Sequence, residues 1–201
     1  TEDRIWWDVL WSTDASKMFN WSFGVGGIQE DLGDWTGQYS IGLTTRPVNS
    51  LMIKADIKYK RRDGWLVYQG SNNFGAYNGI NWQPAIELNW FIVPRHQLRF
   101  SMQWAGVRAD EQGFFEISNA SDKLIPSPRT RPDYDFTVSL LTAQLRYRWE
   151  IAPLTDLYVV YNLGNRLPSL HEDDFSSLFE DAFDEPLVES FIVKLRYRFG
   201  N

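Results

Sequence analysis

Hydrophobic and polar residues alternate one by one along most of the chain. In the segment 191–199, the odd positions hold only apolar or aromatic residues, and the last three even positions hold only cations. Successive side chains of a β-strand point to opposite faces of the sheet. The alternation therefore predicts a sheet with one apolar and one polar face.

Eight segments show this alternation, with lengths of roughly 9–15 residues that suit tilted strands crossing a bilayer. They are 16–28, 35–45, 51–62, 84–93, 97–108, 136–151, 156–163 and 191–199. A ninth candidate lies around 5–11. Strands of soluble sandwiches are usually shorter, about 5–6 residues. The lengths therefore favour membrane-spanning strands.

The connections between these segments alternate in length. Short turns lie near 46–50, 94–96 and 152–155, and longer polar segments lie at about 63–82, 109–135 and 164–189. Outer-membrane barrels have short periplasmic turns and longer outer loops. The sequence thus predicts an all-β fold, an antiparallel up-and-down transmembrane β-barrel with eight or nine strands in this chain, whose last strand runs towards the periplasm.

Residues 1–201 are interpreted as a single outer-membrane barrel domain or as the C-terminal part of a larger barrel. Eight strands can close alone, whereas nine would break the even number usual for bacterial barrels. With nine strands, we expect the chain to join the rest of a larger barrel or another subunit, because an unpaired strand edge is not tolerated in lipid.

Composition narrows the choice of partners. The chain of 201 residues has no cysteine and a net charge of −6, which excludes disulfides and thiolate metal sites and argues against nucleic acid. No apolar run reaches the ~18 residues of a membrane helix. The 10 Trp, 9 Tyr and 13 Phe recur along the alternating segments, as lipid-facing residues of a barrel do.

The two predicted faces differ in chemistry. The apolar positions are expected to face lipid: Phe19, Trp21, Phe23, Leu98, Phe100, Trp104, Leu145, Tyr147, Trp149, Leu195, Tyr197 and Phe199. The cationic positions are expected to line the lumen: Lys54, Lys58, Arg99, Arg146, Arg148, Lys194, Arg196 and Arg198. Rings of Lys and Arg attract anions, so an open lumen would suit anionic solutes.

Two alternatives to the open lumen stay open. A small barrel has little free interior, so the cations could form ion pairs with Asp56, Glu87 and Glu150 in a closed lumen. A soluble sheet with a core face and a solvent face would show the same alternation.

The end of the chain resembles the C-terminal assembly signal of bacterial outer-membrane proteins, an amphipathic last strand that closes on an aromatic residue. Leu195, Tyr197 and Phe199 match it, and Gly200 and Asn201 follow the aromatic residue. The resemblance implies an outer-membrane location, contact with outer-membrane lipid and lipopolysaccharide, and recognition by the barrel assembly machinery.

A narrower resemblance involves Arg46-Pro47, the run from Tyr59 to Gly64, the stretch 145–161 and the closing 194–199. These segments are similar to the C-terminal β-barrel domain, a domain of unknown function, of bacterial outer-membrane proteins that carry an N-terminal module similar to family 9 carbohydrate-binding domains. The resemblance implies that this chain lacks that module and the first strands of the barrel. It also adds carbohydrates to the solutes that the lumen is expected to favour.

The last long connection predicts a short amphipathic helix. Phe175, Leu178, Phe179, Ala182 and Phe183 recur at helical spacing, and a proline three residues later would end the helix. We expect it to fold into the lumen as a plug or to rest on the barrel rim. Its many carboxylates lack the spacing of a calcium loop and are interpreted as a solvated face, so no metal site is expected.

Signals for catalysis are weak. On the predicted topology the two histidines, His96 and His171, lie on opposite sides of the membrane. We find no Ser-His pair, phosphate loop or nucleotide motif, and no cofactor is expected. The sequence favours a pore or membrane anchor. An outer-membrane enzyme acting on glycan or lipid at the outer loops is the alternative, and a soluble ligand-binding barrel is the second alternative.

Overall fold

A computed structural model describes residues 4–32, 34–118, 123–127, 134–169, 174–184 and 186–199, and for 167–169 only the backbone. The strands are β1 Trp6–Ser12, β2 Phe19–Gln29, β3 Trp35–Val48, β4 Leu51–Gly70, β5 Asn73–Val93, β6 His96–Ile117, β7 Leu124–Pro126, β8 Phe136–Ala152, β9 Thr155–Ser169 and β10 Val188–Tyr197. One helix, α1 Phe175–Asp184, precedes β10. Within the described residues, no helix is long and apolar enough to cross a membrane. His171, Gly200 and Asn201 lie outside the described ranges.

The strands form one antiparallel sheet in the order β1-β2-β3-β4-β5-β6-β8-β9-β10, and β7 pairs with the end of β6. Neighbours in sequence are therefore neighbours in the sheet, which confirms the predicted all-β, up-and-down architecture. The candidate ninth segment is confirmed as β1. In the described part of the chain, β1 pairs only with β2 and β10 only with β9, so the sheet is open rather than a closed barrel.

Several strands continue through segments that the sequence assigns to loops. The segment 63–82 is a hairpin, because β4 ends at Gly70 and β5 begins at Asn73. Likewise, β6 continues to Ile117 and β9 to Ser169. Backbone hydrogen bonds between strands do not require apolar side chains, so polar and Gly-rich segments extend the ladder beyond the predicted strand ends. The loop bounds from sequence are corrected accordingly.

The register fixes which residues share a face. Ile53, Leu88, Phe100 and Leu145 lie opposite one another on four neighbouring strands, and we call their side of the sheet the apolar face. The adjacent row, Lys54, Glu87, Ser101 and Gln144, defines the polar face. Directly opposed residues of antiparallel strands point to the same side, so the alternation in the sequence becomes two chemically distinct surfaces.

The apolar face has a measurable height. Every second residue of β5 from Trp82 to Ile92 is apolar, which corresponds to about 33 Å along the strand at ~3.3 Å per residue. Tyr39, Tyr59 and Trp82 form the aromatic row at one end, with ring centroids 6.2 Å and 4.8 Å apart. Charged residues occur on the same face beyond this row, as the ion pair of Arg61 with Asp63 shows.

The opposite end of the apolar face carries a second aromatic group. His96 stacks on Trp149, with ring centroids 5.6 Å apart, and its Nδ1 is within hydrogen-bonding distance of the Tyr147 hydroxyl. Amphipathic aromatic rings at both ends of an apolar band are typical of residues placed at the two interfaces of a bilayer.

The predicted helix is confirmed as α1, and it packs on the apolar face instead of the polar one. Leu178 and Ala182 are buried against Trp104 of β6 and Leu141 of β8. Trp104 was predicted to face lipid, but α1 covers it and leaves it 5% exposed. The reason is local: Phe175 and Phe179 contact the indole ring edge-on, with centroids 6.4 Å and 5.2 Å away.

Candidate functional site: the polar face of the sheet

Seven of the eight cations predicted to line a lumen lie on the polar face according to the strand register. They are Lys54, Lys58, Arg99, Arg146, Arg148, Lys194 and Arg196. The eighth, Arg198, follows the end of β10, where its backbone N–H donates to the carbonyl of Leu154 at 3.0 Å. The strand register therefore places these seven cations on one surface, whereas the exposure of that surface to a lumen stays a prediction.

Two of these cations share one carboxylate. Asp156 of β9 is 4% exposed and accepts a hydrogen bond from Arg148 Nε of β8 at 2.8 Å. Its other oxygen accepts from the Arg196 guanidinium of β10, with Nε at 3.2 Å. Sequence reasoning missed Asp156 as a counter-ion, although it is the polar residue directly opposite Glu150. The Glu150 carboxylate lies 3.9 Å from Arg148, so two carboxylates balance two cations. This cluster ties three strands together and has little spare charge for a ligand.

Lys54 is also paired. Its ammonium lies 3.0 Å from the carboxylate of Asp56, two residues further along β4, and Glu87 of β5 is directly opposite it. The interpretation of the polar face as a network of ion pairs thus holds for part of the surface.

Lys58 and Lys60 differ from Lys54. Within the described residues, neither has a carboxylate within 4.0 Å. They line a depression of about 360 Å³ together with Gln38, Gln83 and the carboxylate-bearing Asp8. Asn81, opposite Lys60, is 7% exposed and its side-chain oxygen has no hydrogen-bond partner in the described part of the chain. This region of the polar face carries cationic charge that the fold does not neutralise.

Arg99 and Arg146 form a second such region. They are directly opposite each other on β6 and β8, and neither lies within 4.0 Å of a carboxylate in the described ranges. They line a depression of about 370 Å³ that also contains Glu87, Ser101 and Gln144. Charge is therefore distributed unevenly over the polar face, with neutral clusters next to cationic ones.

The residues predicted to face lipid lie on the opposite side of the sheet. Their strand members share the apolar face with Ile86, Trp90 and Phe191. Trp104 is buried, Leu98, Phe100 and Tyr147 are half-buried, and the others are exposed. Phe191 is 68% exposed and Leu195 is 62% exposed. Glu189 interrupts this face on β10, where it accepts a hydrogen bond from the Tyr161 hydroxyl at 2.8 Å. Apart from α1 over Trp104, nothing in the described part of the chain covers this surface.

The arrangement offers little for metal chemistry. Among the described residues, no group of three or more His, Asp or Glu side chains is placed to hold a metal ion. The polar face instead offers guanidinium and ammonium groups beside neutral hydroxyl and amide groups, a combination that binds or guides anions.

Comparison with known proteins yields a family without an assigned activity. The family model described as Domain of unknown function (DUF5916) matches residues 1–199. No curated protein matches the chain, and no solved structure matches it.

Proposed function

The chain belongs to the DUF5916 family, and from this premise we propose that it forms part of the wall of an outer-membrane β-barrel whose polar face lines a passage for small anionic solutes. The apolar face would contact lipid, and the polar face would contact water. The same proposal includes an N-terminal module similar to family 9 carbohydrate-binding domains elsewhere in the protein, which would make anionic sugars natural candidates among the solutes.

The observation that carries the proposal is the extent of the exposed apolar face. Monomeric soluble proteins rarely expose a continuous apolar patch larger than a few hundred Å². Here exposed aromatic and aliphatic residues extend over neighbouring strands from β1 to β10, and many are more than 40% exposed. At the ~40° tilt of barrel strands, the apolar run from Trp82 to Ile92 would cover about 25 Å along the membrane normal, the height of the apolar band of an outer-membrane barrel.

The polar face supports an anionic solute. Lys58, Lys60, Arg99 and Arg146 have no carboxylate within 4.0 Å in the described residues, so their charge would act on the contents of a lumen. Rings of such cations raise the local concentration of anions and favour their passage.

The proposal also includes an outer-membrane location and a route of assembly. Insertion into the outer membrane would bring the apolar face against phospholipid and the outer parts of β4, β5 and β6 against lipopolysaccharide. The exposed strand β10, with Leu195 and Tyr197 on its apolar face, is the segment that the barrel assembly machinery would recognise.

Planar-bilayer recording on the full-length protein tests the proposal. We expect an anion-selective current, and a triple variant K58Q/R99Q/R146Q should shift the reversal potential in a salt gradient towards zero. The matched control is Lys17→Gln, which removes a charge from the turn between β1 and β2. A membrane-inserted protein that conducts no ions would refute the passage, and one extracted without detergent would refute membrane insertion.

A further inference from the structure

We propose that Arg99 and Arg146 form a specific binding site for a small oxyanion, a carboxylate or phosphate group, on the polar face of the sheet. The inference deepens the proposed function, on which access of the solute to this face rests. The inference places one binding site at these two residues, in addition to the general attraction of a cationic surface for anions.

The first reason is the opposition of two like charges. Arg99 and Arg146 are direct cross-strand partners, an arrangement that destabilises a sheet unless something lies between the charges. In the next row of the polar face, the carboxylate of Asp156 lies between Arg148 and Arg196 and offsets their repulsion. In the described residues no carboxylate lies within 4.0 Å of Arg99 or Arg146. An external oxyanion bound between them would offset their repulsion in the same way.

The second reason is how Arg99 is held. Gln97 of the same strand is 4% exposed. With its amide oxygen turned towards Arg99, it accepts hydrogen bonds from Nε at 2.9 Å and Nη2 at 3.0 Å. A buried neutral amide fixes the guanidinium without cancelling its charge. Arg99 is thus oriented in advance while its attraction for an anion remains intact.

The third reason is the surrounding chemistry. The depression of about 370 Å³ brings Ser101, Asn89 and Gln144 next to the two guanidinium groups. Gln144 donates its amide N–H to Asn162 at 2.8 Å. The amide oxygen of Gln144 is not used in that hydrogen bond and can accept one from a hydroxyl group of a ligand. Planar guanidinium groups bind carboxylate and phosphate oxygens in pairs.

The one carboxylate in the depression sets the selectivity. Glu87 lines the same space and is directly opposite Lys54, whose ammonium is paired with Asp56 at 3.0 Å. Two guanidinium groups and one carboxylate leave a net positive site. A monovalent or divalent oxyanion is therefore favoured, and a cation is not.

Isothermal titration calorimetry with inorganic phosphate tests the site on the detergent-solubilised full-length protein. We expect saturable binding that is weakened at least tenfold by Arg99→Gln and by Arg146→Gln. Lys17→Gln removes a charge from the turn between β1 and β2, away from this depression, and should change the affinity less than twofold. Equal losses in all three variants, or no saturable binding, would overturn the inference.

Two further measurements keep the outcome interpretable. Circular dichroism must show unchanged strand content in each variant, and Arg146→Lys should retain part of the affinity because it keeps the charge without the paired donors. Affinity for phosphate should be equal in phosphatidylcholine and phosphatidylglycerol nanodiscs; a loss in the anionic lipid would mean that headgroups occupy the site. Calorimetry does not depend on conductance, so an anion-selective pore without phosphate binding would refute this site alone, and phosphate binding in a silent bilayer would refute only the passage.

Discussion

The indole nitrogen of Trp104 on β6 donates a hydrogen bond to the hydroxyl of Ser139 on β8 at 2.9 Å. Ser139 is fully buried, and its own hydroxyl donates to the carbonyl of Leu178 in α1 at 2.8 Å. A polar chain of two hydrogen bonds therefore fixes the helix to the sheet, beside a third from the Asn165 amide of β9 to the Ala182 carbonyl at 3.3 Å.

Replacing Trp104 by Phe should loosen this contact. The smaller ring keeps part of the packing, but the donor to Ser139 is lost, at a cost of about 1–3 kcal/mol in the free energy of unfolding. Urea unfolding in detergent measures the change. Trp90→Phe is the control, because Trp90 is 38% exposed on the same face; equal effects of the two substitutions would contradict the role of the hydrogen bond.

Gly106 should not tolerate a side chain. A Cβ atom there would overlap ring carbons of Trp104, two residues earlier on the same face. We expect Gly106→Ala to destabilise the fold by about 1–3 kcal/mol through overpacking. Gly113→Ala, whose Cβ would have its nearest neighbour 4.0 Å away, is the matched control on β6. A thermal scan showing the same midpoint for both variants would count against this account.

Asp156 should be essential to the joint between β8, β9 and β10. Asp156→Asn keeps the shape but leaves Arg148 and Arg196 without their shared charge, and we expect a loss of about 1–3 kcal/mol. Glu150→Gln, whose carboxylate is 3.9 Å from Arg148, should cost far less. Denaturant titrations of both variants measure the free energy of unfolding. Similar losses would show that Asp156 contributes no more to stability than Glu150 does.

The docking of α1 should weaken in acid. The Asp174 carboxylate accepts hydrogen bonds from the Ser176 hydroxyl at 2.6 Å and the Phe175 N–H at 2.8 Å, which hold its pKa below the usual 3.8. A lowered folded-state pKa means that this contribution is complete above about pH 4 and is lost as the pH falls through the folded value.

Hydrogen exchange of α1, corrected for intrinsic rates, follows this change. We expect wild-type protection to fall below pH 4, and Asp174→Ala to be less protected at neutral pH with a weaker dependence on acid. Protection that falls equally in both proteins would assign the acid sensitivity to another group.

The sequence predicted the strands, their two faces and the helix because each depends on local periodicity. Leu98 and Phe100 share a face whatever the rest of the molecule does, since position parity within one strand decides it. The strand ends were missed because the hairpin around Ser71 is held by backbone pairing, which side chains do not encode. Trp104 was misassigned for a related reason: its cover comes from α1, more than 70 residues later in the chain, and no local pattern shows that contact.

The order of the sheet has an arithmetic consequence. The described path from β1 to β10 contains nine strands joined by eight antiparallel pairings, so its first and last strands run in the same direction. Joining them directly, or joining the β10 of one copy to the β1 of another inserted the same way, would create a parallel seam. A fully antiparallel ring therefore cannot be assembled from copies of this nine-strand unit inserted the same way, and each junction needs an odd number of strands from elsewhere.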